Sequence, residues 1–124
     1  MEKMDPIAVM SALAQPTRLA VFSLLARAGT EGMTAGIIAE QTKTPSNTMS
    51  AHLTILSHAG LVTSRRAGRN IIYRALPDVV RKLTVFLIRD CCDGCDDICN
   101  DLQADLDECN ATRETKLQKR RQDV

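Results

Sequence analysis

With 124 residues and a 44% hydrophobic composition, the chain suits one globular domain, and 16 basic against 15 acidic side chains give a net charge of +1 that specifies no partner. Two Phe, one Tyr and no Trp leave too few aromatics for stacking single-stranded bases, so Leu, Ile, Val, Ala and Met must build the core. No apolar run approaches the ~18 residues of a membrane span and Met1–Pro6 lacks an apolar secretory core, so a cytoplasmic protein with no membrane partner is expected.

Ile7–Ala14 reads as a short helix rich in small residues, interrupted at Gln15-Pro16. Pro16 suits the first turn of a second helix over about 16–28, where a missing N–H costs nothing. Leu19, Val21, Phe22, Leu24 and Leu25 make that helix a core element. Thr34 is placed to cap a third helix over about 35–41, with Ile37 and Ile38 expected inside. After a turn at Thr42–Pro45, Ser46 or the residue before it starts a fourth helix to about 59. Its Met49, Leu53 and Leu56 recur at helical spacing, and Gly60 stops it. Two helices joined by a short turn form a helix-turn-helix.

From Gly60 onward the pattern becomes extended. Leu61–Arg66 and Arg69–Arg74 read as strands around Ala67-Gly68, a basic β-hairpin or wing. Pro77 opens a helix over about 78–91 whose Val79, Val80, Leu83, Val85, Phe86, Leu87 and Ile88 cover more circumference than one core contact needs, as a dimer seam would. Beyond Gly94, Cys95, Cys99, Leu102, Leu106 and Cys109 mark the apolar stripe of a last helix; periodicity fades from Thr112, where the tail is expected to fray. The fold class is therefore mostly α with a small β-hairpin, a winged helix-turn-helix, with deep burial of the fifth helix as the alternative to a dimer seam. The divisions are 1–92 for DNA binding and dimerisation, and 93–124 for the cysteine-containing helix and basic tail.

Charge is segregated. Residues 61–90 hold seven Lys/Arg against two acids, whereas 91–112 hold seven acids and no base. A basic stripe fits phosphate contact. All five cysteines fall in the last third, four of them within Cys91–Cys99. In a reducing compartment such clusters bind metals or act in redox chemistry more readily than they form structural disulfides.

Local wording resembles the ArsR/SmtB family of winged-helix repressors. The matching stretches are Ala12–Leu19, Met49–Leu56, and Ala59–Val62 followed by Arg65–Arg69 and Tyr73; the resemblance covers about residues 7–90. It implies a homodimer joined through its first and fifth helices, with two recognition helices entering successive major grooves of an imperfect palindromic operator. It also implies repression by the metal-free form and release on inducer binding. The position before His52, often basic in the family, is Ala51 here, which shifts phosphate attraction towards the wing.

Given that resemblance, Ser46, Asn47, Thr48, Ser50 and Ala51 occupy the outward half of the recognition helix that would enter a groove. His52 reads equally as a packing residue or a phosphate ligand. Arg65, Arg66 and Arg69 are assigned to phosphate or minor-groove contact.

Missing ligand residues bear on the inducer. Residues 35–43 lack the cysteine pair that some relatives place in the third helix, and both histidines, His52 and His58, lie in the recognition helix. What remains is sulfur, which selects soft ions. A vicinal pair followed by a third cysteine resembles a subgroup of arsenic-responsive repressors, implying As(III) or Sb(III) held by Cys91, Cys92 and Cys99, with Cys95 able to substitute. Two rivals use the same cluster. Zn(II) or Cd(II) could take all four sulfurs, or Cys92 and Cys95 could form a redox switch. Asp90, Asp93, Asp96 and Asp97 crowd the cluster, whereas reactive thiols favour cationic neighbours. Cys109 reads as a small hydrophobe on the helix stripe. No Ser-His-Asp, P-loop or paired-carboxylate arrangement supports an enzyme.

Overall fold

The computed structural model describes residues 4–91, 93 and 96–122, with side chains for 4–90, 93 and 96–115. Helix α1 (Pro6–Leu13) starts where the Asp5 carboxylate accepts from the Ile7 and Ala8 N–H groups at 3.1 and 3.3 Å. Helix α2 (Pro16–Ala28) starts likewise, with Gln15 Oε1 accepting from Arg18 N at 2.7 Å. Each has proline in its first turn, so no donor is wasted. A short 3-10 turn, Gly29–Glu31, leads to strand β1 (Met33–Thr34). Helix α3 (Ala35–Gln41) is capped as expected by Thr34, whose hydroxyl accepts from Ile37 N at 3.3 Å.

Helix α4 (Ser46–His58) begins after Pro45, which takes the cap position without a side-chain bond. It ends in a Schellman motif: Gly60 at φ +80° donates to Ser57 O and Leu61 donates to Leu56 O, both at 3.0 Å. Leu56 and Leu61, the apolar pair that this motif brings together, are both fully buried. Strands β2 (Val62–Ala67) and β3 (Asn70–Ala75) pair antiparallel from Val62 opposite Ala75 to Ala67 opposite Asn70. Arg69 therefore sits in the two-residue turn with Gly68, rather than on a strand as the sequence suggested.

Three further differences from the sequence expectations have physical causes. The hairpin is a three-stranded sheet in the order β1-β3-β2, because Met33 and Thr34 pair with Tyr73 and Ile72. Only part of the apolar surface of α2 and α3 meets other elements, leaving Leu19 50% and Ile37 45% exposed. The helix from Asp78 is α-helical only to Phe86, as α5 (Asp78–Phe86); Leu87–Cys91 then widens into a π-helical turn.

The core joins α1 to α5 around Val9, Val21, Leu25, Ile38, Leu53 and Leu61, all at most 1% exposed. Complete burial of each such side chain contributes about 1.5–3 kcal/mol. The chain forms two compact units, Met1–Thr84 and Val85–Val124, dividing within α5, earlier in the chain than the 92/93 boundary read from the sequence. The second unit contains helix α6 (Asp96–Gln122), 27 residues or roughly 40 Å long. The α-helix runs past Thr112, where fraying was expected. The residues beyond, including Arg113, Glu114, Lys116 and Gln118, are good helix formers that need no apolar stripe to remain helical. Among the described residues, no single helix is long and apolar enough to cross a membrane.

Candidate nucleic-acid interface and cysteine segment

Helix α4 divides by its own periodicity. Met49, Leu53 and Leu56 are buried, while Ser46, Asn47, Thr48, Ser50 and Ala51 are exposed. Burying one stripe therefore presents the small polar residues outward, and the anchored stripe fixes the orientation of the rest. Asn47 Oδ1 accepts from Thr48 N at 2.9 Å, which leaves the Asn47 amide N–H groups to donate to a base or phosphate.

His52 stands at the edge of this face, half-buried, with Nδ1 3.4 Å from Nη1 of Arg18. A guanidinium only donates, so Nδ1 is the acceptor in this contact. Arg18 also donates from Nε to Ala12 O at 2.7 Å and from Nη2 to Ser11 O at 3.4 Å, satisfying carbonyls at the end of α1. One guanidinium thus ties α1, α2 and α4 together. The motif Gln15-Pro16-Thr17-Arg18 was visible in the sequence, but the joining role of Arg18 depends on the approach of α1 and α4.

The wing arginines do not share one face. Across the hairpin, Ser64 with Tyr73 and Arg66 with Ile71 continue the side that begins at buried Val62 and Ala75. Arg65 with Ile72 and Thr63 with Arg74 lie on the other side. Arg69 occupies the tip. Arg65, Arg66 and Arg69 are all exposed, and among the described residues the ion pairs join only Asp78 to Arg81 and Lys82, at 2.8 and 3.4 Å. The three wing cations therefore have no acidic competitor for a phosphate there. Arg74 differs. It is half-buried at the wing base, lining a cleft of about 210 Å³ with Leu25, Ala26, Gly29, Thr30, Ala75 and Pro77. Between wing and recognition helix, a cleft of about 420 Å³ is lined by Thr34, Ala35, Gly36, Ser50, Arg69, Asn70, Ile71 and Tyr73. It places a cation (Arg69), one amide (Asn70) and hydroxyls along one open cleft, a chemistry suited to a sugar-phosphate backbone.

Of the cysteine candidates, Cys92 and Cys95 lie outside the described residues, as does the side chain of Cys91, whose backbone ends the π-helical turn. Cys99 lies in the first turns of α6 and Cys109 further along it; both are exposed free thiols. Among the described residues no three Cys, His, Asp or Glu side chains converge as a metal site. Asp78 at the start of α5 is held below the ordinary carboxylate range, first by its hydrogen bond from Arg81 and then by the neighbouring positive charges.

A helix-turn-helix domain family matches residues 13–65. An HTH-type transcriptional regulator of Methanocaldococcus jannaschii is 37% identical over 84 residues, covering 67% of this chain and 92% of the relative. The homodimeric winged helix-turn-helix DNA-binding domain of a possible ArsR-family regulator from Mycobacterium bovis superposes with a TM-score of 0.56 at 35% identity, over 66% of this chain and 74% of that one. A possible transcriptional regulator for arsenical resistance gives a TM-score of 0.55 at 31% identity, over 77% of this chain and 93% of that one. Fold and relatives alike are those of regulators, not enzymes. The chain belongs to the ArsR-like family of winged helix-turn-helix transcriptional regulators.

Proposed function

We propose that this regulator is a repressor that binds operator DNA as a homodimer and is released when As(III) or Sb(III) is captured by cysteine thiolates. The observation that carries the reading is the position of the cysteines. Four lie within Cys91–Cys99; of these the Cys91 backbone ends the π-helical turn after α5, and Cys99 lies in the first turns of α6. A π-turn within a helix is uncommon and frequent at functional sites. The relative whose name refers to arsenical resistance supports the same choice of inducer.

Arsenous acid exchanges its three hydroxyls for three thiols, releasing three waters and leaving a pyramidal AsS₃ centre. Cys91 and Cys92 supply two sulfurs, and Cys99 or Cys95 the third. Drawing these sulfurs together reshapes the junction after α5 and, through the homodimer, alters the spacing of the two recognition helices. A coupling of ~1–3 kcal/mol corresponds to a roughly 5–150-fold loss of DNA affinity.

Adding arsenite to operator-bound protein in a gel-shift series tests this directly. Arsenite should release the DNA, while Cys91→Ser and Cys92→Ser should bind operator normally and resist release. Unchanged affinity under saturating arsenite, with release by Zn(II) or Cd(II) instead, would replace the trivalent reading with a tetrahedral four-sulfur site.

A further inference from the structure

Helix α3 ends in the same Schellman geometry as α4, but with a lysine where α4 has a glycine. Lys43, at φ +53°, donates its N–H to Glu40 O at 3.2 Å, and Thr44 N donates to Ala39 O at 2.9 Å. Gly60 fills the corresponding place after α4 at φ +80°. Glycine is the usual residue there because a Cβ disfavours the left-handed backbone. The Thr42 hydroxyl braces the turn, donating to Ile38 O at 2.8 Å and lying 3.1 Å from the Thr44 hydroxyl. Lys43 itself is exposed, and among the described residues no carboxylate forms an ion pair with it, Glu40 included. Between Arg27 and Arg65 it is the only Lys or Arg in the chain. The helix-turn-helix thus carries one permanent cation, at a turn position whose backbone a lysine strains.

We infer that Lys43 contacts a DNA phosphate at the end of α3 remote from the wing, and that this contact is what the strained turn serves. The inference rests on the DNA binding of the proposed function and adds a residue to it. Lys43 lies three residues before Ser46, where the exposed face of α4 begins. When the N-terminal part of a recognition helix enters a major groove, the helix before it crosses the sugar-phosphate backbone, and the turn between them lies beside that backbone. The start of α3, at Ala35 and Gly36, lines the cleft that holds Arg69. Lys43 stands beyond the other end of this seven-residue helix, roughly 10 Å further along its axis. The wing and the turn therefore offer cations at the two ends of α3. A cation also suits the negative end of a helix. The exposed Gln41 position, in the last turn of α3, would supply one on an ordinary helical backbone. Placing the ammonium in the left-handed turn residue instead carries it past the helix end towards the start of α4.

Lys43→Gly and Lys43→Arg in the full-length protein test this. Each is unfolded in urea, and each is titrated by fluorescence anisotropy against operator and against an unrelated duplex at several salt concentrations. Glycine should raise the unfolding midpoint, because it relieves the left-handed strain. It should also flatten log affinity against log salt by about one unit, alike on both duplexes, since a phosphate contact carries no sequence information. Arginine, which keeps both the charge and the strain, should retain the original slope and midpoint. An unchanged slope for Lys43→Gly overturns the inference, whether the midpoint rises, leaving the strain without a DNA role, or falls, making Lys43 a helix-end cation only. So does a flattening by arginine equal to that by glycine, because charge would not then be what position 43 supplies. An unsubstituted protein that binds neither duplex would overturn the DNA binding beneath the inference as well.

Discussion

Arg18 Nη1 lies 3.4 Å from His52 Nδ1, and the same guanidinium donates to Ala12 O at 2.7 Å. The recognition helix is thereby linked to the end of α1 by a residue of α2, and the other ring nitrogen of His52, Nε2, takes no part in that contact. Packing and DNA contact, alternatives for His52 in the sequence, are compatible, because Nδ1 faces Arg18 and a DNA contact would use Nε2.

Arg18→Ala should therefore lower stability by about 1–3 kcal/mol, since it leaves carbonyls at the end of α1 without their charged donor. Arg18→Lys should recover only part of this, because one ammonium cannot reproduce a planar fork across two helices. His52→Ala should cost less in stability and more in operator binding. Urea unfolding together with operator titration separates the two effects; equal stability losses for Arg18→Ala and His52→Ala would contradict the assignment.

Gly32 offers a sharper stability test. Gly29 and Gly32 both have φ +68°, so an alanine at either is strained by about 1–3 kcal/mol. A Cβ at Gly29 meets nothing within 4 Å, whereas one at Gly32 would strike the backbone carbonyl of Tyr73 in the paired strand. Gly32→Ala should thus cost at least about 1 kcal/mol more than Gly29→Ala. Thermal unfolding of the two variants should show a lower midpoint for Gly32→Ala.

These residues also show what could be read from the chain before its structure. Met49, Leu53 and Leu56 announced the buried side of α4 because one helical stripe has one solution, and Thr34 and Gly60 announced helix ends because caps are local. Strand β1 was not legible: two residues have no periodicity, and Met33 and Thr34 become a strand only by pairing with β3. Ile37 and Leu19 looked internal because hydropathy does not state how many neighbours a helix has. For the site, Arg65, Arg66 and Arg69 were identifiable as wing cations by position, but their division between two faces and a turn follows from register. The cysteine cluster was legible as a run of thiols; where their sulfurs lie does not follow from spacing, because the backbone departs from the α-helix after Phe86.

Asp78 supplies a pH effect whose sign follows from its partners. Arg81 and Lys82 favour the carboxylate, and they lower its folded-state pKa below the ordinary 3.8. The contribution to α5 is therefore present above the unfolded value and lost as pH falls through the lowered folded value. Carboxyl NMR titration should place the Asp78 midpoint below 3.8, and Arg81→Ala should raise it. Because the pair is exposed, added salt should shrink the difference.

Wing arginines can be separated by salt. Arg65→Ala, Arg66→Ala and Arg69→Ala should each flatten the plot of log affinity against log salt by about one unit if each neutralises one phosphate. Arg74→Ala should leave that slope unchanged, since Arg74 lines the cleft beside Leu25 and Pro77 at the wing base. Operator titration at several salt concentrations checks all four. An unchanged slope for the first three would remove the wing from the interface.

Ala51 yields the reverse experiment. It is exposed between Ser50 and His52 on the outward side of α4, and an arginine there would have an open path to solvent or DNA. Ala51→Arg should leave the unfolding free energy within about 0.5 kcal/mol of the original, as for other surface changes. It should also steepen the salt dependence of operator binding by roughly one unit, because one more phosphate is neutralised. The gain should be similar on operator and unrelated duplexes, since phosphate contact carries no sequence information. An increase confined to the operator would mean that position 51 reads a base edge instead, and the outward face of α4 would then sit deeper in the groove than a phosphate contact allows.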